Sequence, residues 1–173
     1  NGGSLCFVTW VAPAAEEGRR DLATALVDLE RIDEIAIVAA PGVGIDRGSW
    51  DAIADHCRLS GARFAVLDCP EGAGWATSSV PDDIDLPAKS DFAALYFPWI
   101  EVSDPAAAAP ATRMRVPPSG HVAGIYARVA AQKGVHMAPA NEVVRGATGL
   151  AVAISEEGQL ALTPQGINCI RLA

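Results

Sequence analysis

Apolar positions along the chain fall into short continuous runs separated by amphipathic segments, and this alternation sets the expected elements. Leu5-Cys6-Phe7-Val8-Thr9-Trp10-Val11 is β-branched and aromatic, bounded by Gly2-Gly3 and Pro13, and is expected to be a strand. Leu22, Leu26 and Leu29 then recur at helical spacing with Ala23, Val27 and Ile32, while Glu16, Arg19, Arg20, Asp28 and Glu30 take the wet side, so a helix follows. Ile35 to Ala40 is an uninterrupted apolar run ended by Pro41-Gly42, the pattern of a strand buried on both faces of a parallel sheet. A second helix is expected from Ser49 to Ser60, with Ile53 and Cys57 inward and Gly61 as its cap. Phe64 to Cys69, closed by Pro70, and Phe92 to Phe97 read as further strands.

The segment from Val116 to Gly149 combines a helix start, a helix stop and a rigid loop. Ser119, after Pro117-Pro118, is expected to cap a helix running to Lys133, with Val122, Ile125, Tyr126 and Val129 on one side and small residues such as Ala123, Gly124 and Ala127 allowing close approach. Gly134 suits a left-handed cap, and Ala138-Pro139-Ala140-Asn141 makes a stiff strap because proline restricts both itself and the residue before it. Residues 71–90 and 105–117, rich in Gly, Pro, Ser, Asp and Ala, are expected to be irregular loops inside a single α/β domain over residues 1–173. Strands alternating with helices imply a largely parallel sheet flanked by helices on both faces.

Composition narrows the function. Half of the 173 residues are apolar and the net charge is −8, so the basic surface that releases counterions from nucleic acid is missing, and no nucleic-acid partner is expected. No apolar run approaches the roughly 20 residues of a membrane span, so no membrane insertion is expected. Cys6, Cys57, Cys69 and Cys169 are scattered without metal-ligand spacing and are expected to be free thiols of a reducing compartment.

Candidate chemistry is thin. His56, His121 and His136 have no serine in a nucleophile-elbow turn to serve, and Ser119, next to Gly120-His121, is better placed as a cap, so no catalytic triad is expected. Pro41-Gly42-Val43-Gly44-Ile45-Asp46-Arg47-Gly48 sits between a strand and a helix, where a phosphate cradle would be. Its glycines are one residue too far apart for the dinucleotide fingerprint and no Walker lysine follows. A nucleotide- or small-molecule-binding α/β enzyme using the Gly42–Gly48 turn is the alternative reading. Neither Asp46, Asp51 and Asp55 nor Asp82, Asp83 and Asp85 forms the alternating loop of a calcium site; no metal and no cofactor are expected. Trp10, Trp50, Trp75 and Trp99 are dispersed, and Trp99 after Pro98 is the best candidate for a packing anchor.

An ordered set of short motifs carries more information than any one of them. Pro98-Trp99, Pro117-Pro118-Ser119-Gly120, Ala123-Gly124-Ile125-Tyr126-Ala127-Arg128, Gly134-Val135, Ala138-Pro139-Ala140-Asn141-Glu142, Gly146 and Asn168 resemble, in that order, the tail sheath proteins of contractile phage tails and injection machines. Two positions depart from the pattern: Val129-Ala130-Ala131 where the family often has an acidic residue, and Met137 where it often has a basic one.

The resemblance implies a subtilisin-like topology without a triad and no enzymatic activity. It implies a structural subunit that polymerises with itself in hexameric rings around an inner tail tube protein and contracts to drive the tube through a target envelope. Such a protein is made in the bacterial cytoplasm and resides in a virion tail sheath or an equivalent particle. The chain, opening on Asn1-Gly2-Gly3 and stopping at Arg171-Leu172-Ala173 within an expected strand, reads as a piece of a longer protein. Arms that link subunits are expected outside it, so the piece alone is expected to be a monomer or weak oligomer.

Overall fold

The computed structural model describes residues 3, 5–11, 21–43, 45–72, 85–107 and 112–172. In chain order the first elements are α1 (Leu22–Glu30), β1 (Ile37–Ala39), α2 (Arg47–Ser60), β2 (Phe64–Asp68), β3 (Ala93–Phe97) and β4 (Ile100–Ser103). They are followed by β5 (Arg113–Val116), α3 (Ser119–Lys133), β6 (Ala147–Leu150), α4 (Glu156–Leu162), a single 3-10 turn and β7 (Ile167–Cys169). β1, β2, β3 and β7 form a parallel sheet in that order, and β5, β4 and β6 form a small antiparallel one.

β2 is the buried spine of the parallel sheet, and its alternation distributes the core to two faces. Ala65, Leu67 and Cys69 join Leu26, Trp50, Ile53, Cys57, Phe97, Leu162 and Ile167 in one apolar cluster beneath α1, α2 and α4. Val66 and Asp68 turn to the opposite face, where α3 lies across β1 and β2 and buries Val122, Ile125 and Val129. Each of these side chains contributes about 1.5–3 kcal/mol by leaving water.

Local chemistry sets the helix ends. Asp46 accepts from the Ser49 amide at 3.0 Å and hydroxyl at 2.7 Å, so α2 begins two residues before Ser49, the expected start. From there Trp50, Ile53, Ala54 and Cys57 recur at i, i+3, i+4 and i+7, and all are buried. Gly61 ends the helix at φ 67°, a left-handed conformation that costs glycine nothing. Asp21 caps α1 through the Thr24 amide at 2.8 Å, and the helix stops at Glu30, before Ile32.

Several expectations are corrected. Leu5–Val11 forms no strand: no described strand pairs with it, and Leu5, Val8 and Trp10 are 68%, 87% and 60% exposed. Residues 105–117 are not loop throughout, because Arg113–Val116 is β5, an edge strand whose exposed arginines hide it from a search for apolar runs. Gly134 closes α3 at φ 92°, ψ 157°, a positive-φ extended conformation rather than a left-handed helical one. The last strand ends at Cys169, before Arg171. Of the 71–90 stretch, residues 85–90 carry no helix or strand, and 73–84 lie outside the described residues along with Trp75, Asp82 and Asp83. No helix among the described residues is long and apolar enough to cross a membrane.

Candidate functional site

The densest polar arrangement sits where β2 runs out. Asp68, 1% exposed, accepts from the Ser119 amide at 2.7 Å and from its hydroxyl at 2.6 Å. The Asp68 carbonyl accepts from the Trp50 indole at 3.0 Å, and the Cys69 carbonyl accepts from the Trp99 indole at 2.8 Å. Ser119 is therefore not the cap of α3. The cap position is Pro118, which offers no side-chain acceptor, and the open helix start is met instead by a carboxylate from another strand. Hydrogen bonds to a charged group contribute about 1.5–3 kcal/mol each. Burial pushes the Asp68 carboxyl up to about 6, against the opposing pull of the Ser119 donors. Because Ser119 is fully buried and donates straight to the carboxylate with no imidazole between, the pair cannot act as a nucleophile.

The motif residues surround this node and the far end of α3. Pro98, buried, follows a cis peptide bond after Phe97, and the Trp99 carbonyl accepts from Ala151 at 2.8 Å. Pro117 lies half-buried beside Gly42, while Gly120 is exposed and Gly124 half-buried along α3. The hydroxyls of Tyr126 and Tyr96 are 3.0 Å apart, and the Tyr126 ring stacks on Phe64 with centroids at 5.3 Å. Asn168 is paired with Tyr96 in the β3–β7 register and donates to the Leu95 carbonyl at 3.2 Å.

At the other end, buried Arg128 donates to the Val143 carbonyl at 3.0 Å and to Glu142 at 3.4 Å, and Lys133 donates to Glu142 at 2.6 Å. The Lys133 ammonium first, and Arg128 after it, hold the Glu142 carboxyl below its ordinary range. This ties the strap to α3. Pro139 is half-buried in that strap, Asn141 turns it at φ 58°, and Gly146, near His121, closes it before β6.

The motif residues thus form two clamps, one at each end of α3, with Tyr126 between them and Asn168 out on β7. Asp68 and Trp50, which hold the first clamp, were not singled out from sequence. The signal available was a lone carboxylate closing an otherwise apolar strand.

The phosphate-cradle and metal alternatives find other occupants. Asp46 already accepts from the amide at the start of α2, and Arg47 is bound to Asp51 and Asp85, each at 2.6 Å, so a carboxylate stands where a phosphate would need open donors. Gly44 lies outside the described residues. Asp55 pairs with Arg58, and among the described residues no three His, Cys, Asp or Glu side chains gather to hold a metal.

A second polar arrangement is less complete. Between the ends of α1 and α2 an open groove of about 500 Å³ is lined by Glu30, Asp33, His56, Leu59 and Arg63 among others. Arg63, 6% exposed, donates to His56 Nε2 at 2.8 Å and to the Ile32 carbonyl at 2.8 Å. A guanidinium only donates, so Nε2 carries the lone pair and the imidazole proton sits on Nδ1. That buried Nδ1–H has no hydrogen-bond partner; the nearest carboxylate oxygen, on Glu30, is 3.8 Å away. Burial first and the Arg63 charge second lower the His56 pKa, with Glu30 pulling the other way.

Residues 60–173 match the phage tail sheath protein central domain. The chain belongs to the phage tail sheath protein family. No curated protein is significantly similar to it. Among solved structures, the contracted helical sheath of the anti-feeding prophage is 29% identical with a TM-score of 0.70, over 100% of this chain and 44% of that one. A chain of the anti-feeding prophage baseplate is 28% identical with a TM-score of 0.63, over 86% and 37%. The contracted sheath complex of the extracellular contractile injection system PVC is 26% identical with a TM-score of 0.62, over 90% and 41%. This sheath-family chain therefore spans about two fifths of the length of those relatives.

Proposed function

We propose that the protein is a structural subunit of a contractile tail sheath, and that its role is mechanical rather than catalytic. Copies polymerise as stacked hexameric rings around an inner tube protein, and contraction drives the tube through a target envelope. The observation that carries this reading is the use of the motif residues. Asp68 with Ser119, and Arg128 and Lys133 with Glu142, clamp α3 at both ends and hold the domain as a rigid block. A rigid block is what a lattice needs in order to switch between two packings by moving domains as bodies. The particle forms in the bacterial cytoplasm, and neither nucleic acid nor membrane insertion enters its work.

Electron microscopy of the full-length gene product tests this. Hollow cylinders of uniform diameter are expected, while this chain alone is expected to sediment as a monomer or weak oligomer. A full-length product that never builds cylinders overturns the reading.

A further inference from the structure

The groove between α1 and α2 has a charge and a hydrogen-bond demand that the described residues do not meet. Arg63 is directed inward to carbonyls and to His56, so among the side chains lining the groove the charges facing outward are the carboxylates of Glu30 and Asp33. Two helices end here, and their terminal carbonyls add to the negative field. His56 Nδ1–H, at the wall of the same groove, needs an acceptor. Its proton also excludes a metal ion, since a ligating nitrogen needs its lone pair. An anion is excluded by the carboxylates at the mouth.

A peptide segment that brings basic side chains and a free backbone carbonyl meets all of these demands. The chain displays one: among the described residues β5 is the edge of its sheet, with no strand beyond it to pair its outer carbonyls, and Arg113 and Arg115 share one face. Both arginines are more than half exposed, and among the described residues they are bound to Glu101 and Glu71 at 3.3–3.9 Å. Such exposed pairs are weak and exchange readily. Exposed Leu59 offers the arginine stems an apolar surface.

We propose that in the assembled sheath the β5 edge strand of one copy docks in the α1–α2 groove of the next. Arg113 and Arg115 meet Glu30 and Asp33, and a β5 carbonyl accepts from His56. Groove and strand are different surfaces, so the contact is head-to-tail and propagates along a helical array. The inference rests on the sheath reading.

Charge exchange in the full-length chain tests it, with cylinders counted by microscopy and pelleted protein measured by sedimentation. Glu30→Arg with Asp33→Arg is expected to cut the pelleted fraction at least tenfold, and adding Arg113→Glu with Arg115→Glu is expected to restore it. Thermal unfolding of each variant shows that it is folded, and the milder Glu30→Gln with Asp33→Asn pair replaces the reversal if that one is not. Folded groove variants that assemble like the wild type, or a reciprocal exchange that restores nothing, overturn the proposal. A wild-type chain that builds no cylinders overturns the sheath reading itself, and is distinguishable because no substitution is involved.

Discussion

The end of β2 and the groove between α1 and α2 are both built around a buried titratable side chain, yet they are finished differently. At the first, Asp68 accepts twice from Ser119, and the neighbouring carbonyls take the indoles of Trp50 and Trp99. At the second, His56 is buried too, though less completely, and keeps one N–H without a partner. A buried polar group left unsatisfied costs about 1–3 kcal/mol, so an arrangement that tolerates one invites a reason outside the fold. The first region is finished by the chain's own residues. The second, on the proposed docking, is completed by a neighbour.

The largest effect is expected in the finished region. Trp50→Ala removes a side chain 1% exposed and leaves the Asp68 carbonyl without its donor. A loss of about 4 kcal/mol is expected, read from the denaturant midpoint of the chain. A loss under about 1 kcal/mol would mean that the node is not holding the sheet and α3 together, and the contrast with the groove would collapse.

The next effect is a pH dependence. Burial raises the Asp68 carboxyl from 3.8 to about 6, so the folded state binds this proton more tightly than the unfolded one. Its contribution to stability is then fully present below about 4 and is lost as pH rises through about 6, a change of about 3 kcal/mol. Asp68→Asn keeps an acceptor for the Ser119 amide and gains a donor for its hydroxyl without a charge to bury. Its stability relative to wild type is expected to rise across that window, and parallel profiles for the two proteins would show that the carboxylate is ionised at no cost.

Much of the first region was readable in sequence. The run Phe64 to Cys69, apolar except for Asp68, the breaks at Pro98 and Pro118 and the spacing of Val122, Ile125 and Val129 gave the strand, the helix and their order. What was misread was the partner: Ser119 looks like a cap because caps are local, whereas the acceptor here is Asp68, brought in only by the fold. The small sheet was illegible because β4, β5 and β6 are short and partly polar, so periodicity gives no signal. Leu5–Val11 misled for the opposite reason, since a β-prone sequence becomes a strand only where another strand pairs with it. The groove could not be seen at all, because which imidazole nitrogen carries the proton depends on Arg63, seven residues away.

The smallest expected change sharpens the contrast most. His56→Leu deletes the unpaired N–H but also the acceptor of one Arg63 donor, and Arg63 keeps the Ile32 carbonyl. A gain and a loss of similar size leave the stability of the chain within about 1 kcal/mol of wild type above pH 7, by chemical denaturation. The pH profile moves in the opposite sense to that of Asp68. A His56 pKa held below its ordinary 6.5 means that the unfolded state takes up the proton first, so stability falls as pH drops below that value in wild type and not in the variant. A loss of several kcal/mol at neutral pH would show instead that His56 is as tightly integrated as Asp68, and that the groove is part of the chain's own framework rather than a surface completed by another copy.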